Sequence, residues 1–148
     1  MFGSRRRPTV QTVGGRSFTV YSEMRNVGPE TAAGTQYEER HVWISTAIGP
    51  CPPLRVSVRG SNHLDDRNDG AVATGVPAFD DRFLVHCDDI AFVRRVTPAL
   101  TAAPRESTGF LELRGGWITV HRTGTEHDGP AANYLNALIP LLPPELRR

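Results

Sequence analysis

Two glycine pairs, Gly14-Gly15 and Gly115-Gly116, each stand between runs of β-branched and aromatic residues, and they constrain the chain more than any other feature. Glycine reaches the positive-φ backbone that a two-residue hairpin turn demands. Each pair therefore predicts a tight antiparallel hairpin, Val10–Val13 with Arg16–Met24 and Phe110–Arg114 with Trp117–Arg122. Between them, Gln36–Ile48 alternates, with Val42 and Ile44 on one side and Tyr37, His41 and Trp43 on the other. Leu54–Arg59 alternates strictly, apolar inward and Arg55, Ser57 and Arg59 outward. Phe79–Cys87 places Phe83, Val85 and Cys87 opposite Leu84 and His86.

Helical spacing replaces this alternation twice. Asp88 and Asp89 precede Ile90, Val93 and Val96, so an aspartate caps a helix there, and Pro98 is expected to kink or end it. Asp128-Gly129-Pro130 opens a second helix with Ala131, Leu135, Leu138, Ile139 and Leu142 along one stripe, closed by Pro143-Pro144. The expected fold is α+β: an antiparallel sheet of about six or seven strands with two helices packed on one face. A flexible basic arm over 1–8 precedes one domain over 9–148, since 148 residues suit a single core.

The net charge is only +1, and all 17 basic residues are arginine, so no nucleic-acid partner is expected. The cluster Arg5-Arg6-Arg7 gives too few charges to alter that. The longest apolar run, Leu135–Leu142, is broken by Asn136 and Pro140 and falls short of the ~20 residues of a membrane span. The segment after Pro8 is too polar for the apolar core of an export signal. A cytoplasmic location is expected, the alternative being attachment to the cytoplasmic membrane through a partner or an anchor outside this chain. Cys51 and Cys87 are then read as free thiols.

Several motifs suggest chemistry and fail on spacing. Asp65–Gly70 begins like a calcium loop, but its third position is Arg67 and its twelfth is Val76, so two oxygen ligands are missing. His41, His63, His86, His121 and His127 include no zinc spacing; His41, His86 and His121 meet only if their strands pair in a suitable order. Cys87 is followed by two carboxylates, which disfavour a thiolate. No nucleophile elbow or phosphate loop is present, and no cofactor or metal is expected.

Four segments, Pro53-Leu54-x-Val56, Thr74-Gly75-x-Pro77-x-Phe79-Asp80-x-Arg82-Phe83-x-Val85, Asp88-Asp89-x-x-Phe92 and Thr97-Pro98-x-Leu100, resemble a soluble domain of actinobacterial proteins of unknown function. In that group the domain is often membrane-anchored. The resemblance implies no catalytic residues.

The residues point first to a non-enzymatic module for protein–protein interaction or self-association, with Tyr37, His41 and Trp43 on an uncovered sheet face. An alternative is a small-ligand or anion-binding domain, with Arg55, Arg59, Arg82 and Arg114 directed toward one pocket. A third is a hydrolase using Cys87 or Ser45 with a histidine.

Overall fold

The structure is a computed structural model, and it describes residues 8–26, 38–59, 70–103, 109–123 and 129–147. Its strands are β1 (Thr9–Val13), β2 (Arg16–Asn26), β3 (Glu38–Ala47), β4 (Leu54–Val58), β5 (Ala71–Val72), β6 (Phe83–His86), β7 (Phe110–Arg114) and β8 (Trp117–Thr123). The helices are α1 (Pro77–Asp80), α2 (Ile90–Ala102) and α3 (Gly129–Leu138), with single 3-10 turns at Ile139–Leu141 and Pro144–Leu146. Both Gly-Gly hairpins form as the sequence predicts, with φ of 59° and 77° at Gly14 and Gly15 and of 56° and 84° at Gly115 and Gly116.

One eight-stranded sheet holds all strands in the order β1-β2-β3-β8-β7-β4-β6-β5, and every neighbouring pair is antiparallel. The α+β class is as expected, while the sheet has eight strands where about six or seven were anticipated, and three helices where two were. The added strand is the two-residue β5, too short to show a period in the sequence, which pairs Ala71 with His86. The added helix is α1, where alternation suggested that a strand already begins at Phe79. Pro77 stands in the first turn, where its fixed φ and missing amide favour a helix start. Asp80 then accepts from the Thr74 amide at 3.1 Å and the Thr74 hydroxyl at 2.8 Å, tying the preceding turn to that helix.

Pro98 does not end α2. The helix continues to Ala102, and Pro98 lies on its exposed side together with Arg94, whose carbonyl is the one a proline at 98 deprives of its helical donor. The Asp89 carboxylate accepts from the Phe92 amide at 3.0 Å, the expected N-cap.

Alternation assigns one face of the sheet to the core. Val42 and Ile44, Ile118 and Val120, Leu111 and Leu113, and Leu54 and Val56 are all buried on that side. Phe92, Val93, Val96 and Leu100 of α2 and Leu135 and Leu138 of α3 belong to the same cluster. Each such side chain contributes roughly 1.5–3 kcal/mol by leaving water, which makes this layer the main source of stability. Asn136, which interrupts the apolar run of the last helix, fastens the first hairpin: it donates to the Val13 carbonyl at 2.9 Å and accepts from Arg16 at 3.2 Å. No helix among the described residues is long and apolar enough to cross a membrane.

The cap gives a direct test. Asp89→Ala is expected to cost about 1 kcal/mol (roughly 0.5–2) in urea unfolding. Asp88→Ala, which removes an exposed neighbour that caps nothing, is expected to change stability by less than about 0.5 kcal/mol.

Candidate functional site

With the helices on one face, the odd-numbered residues of β2, β3, β8 and β4 and the even-numbered residues of β7 and β6 occupy the other. The register decides which of them meet. Trp43 of β3 lies opposite His121 of β8, Tyr21 of β2 opposite Trp43, and Phe110 of β7 opposite His121. Across this patch His41 Nδ1 and His121 Nε2 are 2.8 Å apart, a hydrogen bond between two imidazoles separated by 80 positions in sequence. Both are buried, at 7% and 2% exposure.

The surroundings of this pair are aromatic and ionic. Phe110 stacks on His121 with ring centres 4.7 Å apart, and Trp43 lies 5.1 Å from His121 and 5.4 Å from Tyr21. The Arg25 guanidinium sits over Trp43 at 5.1 Å and donates to Glu23 at 2.6 Å, while the Tyr21 hydroxyl donates to the same carboxylate at 2.9 Å. The Glu39 carboxylate is 3.5 Å from Nε2 of His41, so a carboxylate, an imidazole and a second imidazole follow one another in sequence of contact. Gly109 closes one side: its φ of 121° and its contact with the His121 carbonyl leave no room for a side chain.

A second feature lies further along the same face. A hollow of about 320 Å³ is lined by Arg55 of β4, Glu112 and Arg114 of β7, His86 of β6, Cys87 and Asp88, with Pro53, Leu54 and Gly70 at its margin. The Arg55 guanidinium rests on the Phe110 ring at 3.7 Å and lies 3.9 Å from Glu112. Phe110 therefore touches both the histidine pair and the arginine of the hollow.

Of the residues singled out from sequence, His41 and Trp43 share a face as expected, but His41 is buried where an open aromatic surface would need it exposed. Tyr37 lies outside the described residues, as do His63, His127 and the segment Asp65–Asp69. Arg55 and Arg114 reach one hollow. Arg59 and Arg82 do not: they follow and precede the far ends of β4 and β6, where Arg59 donates to the Asp80 carbonyl at 2.8 Å and Arg82 covers Phe83. Four residues of strand put Arg59 roughly 13 Å along from Arg55, too far to share a small ligand.

Of the three histidines considered together, His41 and His121 meet, whereas His86 is on β6, three strands from β8. Among the described residues no three potential ligands are placed to hold a metal ion. Ser45 shares a hydrogen bond with Thr119 at 3.1 Å. Cys87, adjacent to His86 in sequence, belongs to the core cluster while His86 lies on the opposite face. No family model, curated protein or solved structure matches the chain.

The thiols carry a pH consequence. Burial pushes Cys87 above the ordinary thiol value, and the carboxylates of Asp89 and Asp88 add to it against an opposing backbone hydrogen bond at Asp89. Burial raises Cys51 as well, with Cys87 contributing. At pH 7.5 the native protein is expected to react with iodoacetamide more slowly than the urea-unfolded chain, and to approach it only on strong alkalinisation. The contribution of these thiols to stability is present below the unfolded value of about 8.5 and is lost as pH rises through the raised folded values.

Proposed function

We propose that the protein binds a small anionic molecule, bearing a carboxylate or phosphate, in the hollow between β4, β7 and β6. The observation that carries this reading is the convergence of Arg55 and Arg114, from paired neighbouring strands, with His86 on one hollow. Guanidinium groups present paired N–H donors that match carboxylate and phosphate oxygens. Arg55 is held for this role, since the Phe110 ring supports its guanidinium plane from below. The volume is that of a small metabolite site. Glu112 and Asp88 line the same space, so a ligand that also carries an amine or hydroxyl donor suits it better than a bare anion.

Titration with inorganic phosphate, citrate and phosphorylated or amino-bearing carboxylic acids, read by thermal denaturation, tests the proposal. A ligand present at about a hundred times its Kd stabilises by about 2.7 kcal/mol, which raises Tm by about 5–10 °C. Arg114→Gln, at an exposed position, is expected to abolish the shift while leaving the unliganded Tm within about 2 °C. A panel that moves Tm by nothing, or moves the variant equally, rejects the hollow as the site.

Self-association or capture of a partner protein is a second reading, and the edge strand favours it. Four of the five residues of β1 are exposed, Val10 to 72%, and none is charged. Such an edge can receive another strand. Light scattering coupled to size exclusion decides: Val10→Lys is expected to convert an oligomer to a monomer, and a wild-type monomer at all concentrations removes this reading.

A further inference from the structure

We propose that the His41–His121 pair is a proton-operated latch on the seam between β3 and β8. The reasoning begins with hydrogen count. At 2.8 Å the two facing nitrogens share one hydrogen: one ring donates and the other accepts. The pair as a whole can be neutral, or it can carry one added proton. In the second case His41 donates to His121 through Nδ1 and faces the Glu39 carboxylate through Nε2.

A second added proton removes the acceptor. Two imidazolium rings then oppose N–H to N–H at hydrogen-bond distance, with like charges in a site closed to water. Among the described residues, the neighbouring strands bring the following groups to the pair. Strand β2 contributes Tyr21, Glu23 and Arg25, of which Glu23 stands opposite His41 and is engaged by the other two. Strand β3 contributes Glu39. Strand β8 contributes Thr119 and Thr123, and β7 contributes Phe110, with Glu112 and Arg55 beyond it. Glu39 and Glu23 can offset one positive charge on His41. The register partners of His121 are Trp43 and Phe110, so the limit on the second proton comes from the opposed N–H groups themselves.

The sign follows from proton number. The closed seam holds at most one added proton on the pair, and the opened seam holds two. Below about pH 6.5, the ordinary histidine value, and with one proton already on the closed pair, the open form therefore gains by up to about tenfold per pH unit. The seam is the one pairing that joins β1-β2-β3 to the other five strands, so its release separates two halves of the sheet.

Amide hydrogen exchange of Ile44, Ile118 and Val120, corrected for intrinsic rates between pH 7.5 and 5.0, reads the opening equilibrium directly. Ring NMR signals of His41 and His121 report proton uptake in the same samples. The expected result is an opening constant that rises up to about tenfold per pH unit below pH 6.5, in step with the second ring's proton uptake. His121→Gln keeps a side-chain amide in place of Nε2 but cannot titrate, and His41→Asn does the same for Nδ1. In either variant the acid slope is expected to disappear. A flat wild-type profile, a variant with the wild-type slope, or two rings that both charge while β3 and β8 stay protected each overturns the latch. Should both variants fail to fold, the wild-type comparison of ring protonation with amide opening still decides between the outcomes.

Discussion

Pairing of β3 with β8 is the interaction on which the remaining architecture rests. It joins residues 41–47 to residues 117–123, and across it lie both a core pair, Ile44 with Val120, and the polar pair, Trp43 with His121. On the core side the seam is held by apolar burial against α2 and α3; on the other side it is held by the imidazole hydrogen bond and the rings around it. Only the first kind of adhesion is indifferent to pH. The same seam joins residues 70 to 82 positions apart in sequence, so closing it costs more chain entropy than either glycine hairpin does. Local hairpins can form before this contact, but the core has no floor until it does.

Much of the fold was legible because its signals are local. A Gly-Gly pair specifies a hairpin within a dozen residues, and Asp89 specifies a helix start within four. Alternation correctly separated Val42 and Ile44 from His41 and Trp43, and Phe83, Val85 and Cys87 from His86. The misreadings were also local, and each arose from competition between signals. Phe79 fits a strand period, yet Pro77 two residues earlier starts a helical turn. Pro98 breaks a helix on average, yet on the exposed side of α2 the helix runs through it to Ala102.

The candidate site was less legible, because it depends on strand order, and strand order is not written in any one segment. His41 and His121 become neighbours only when β8 inserts between β3 and β7, while β4, next in sequence, pairs at the far side of β7. Arg55 and Arg114 share a hollow for the same reason: β4 and β7 are paired although 51 residues separate them. Arg59 carries the same alternation signal as Arg55 and is excluded by its position along the strand. A pattern of period two identifies the face of a residue but not its place on that face.

The sheet face opposite the helices is not composed as a sheet selected only for stability would be. Ser57 is fully buried there, and its hydroxyl has no hydrogen-bond partner among the described residues, a loss of about 1–3 kcal/mol relative to a satisfied group. Two buried imidazoles cost further desolvation that a valine pair at the same positions avoids. Phe110 stands between these groups, touching His121 on one side and Arg55 on the other, so the histidine pair and the arginine hollow share a wall. A β-branched residue at 110 would pack the strand as well but could serve neither neighbour, since stacking on an imidazole and supporting a guanidinium both require an aromatic face. The position of this one ring therefore makes the two polar centres parts of a single surface.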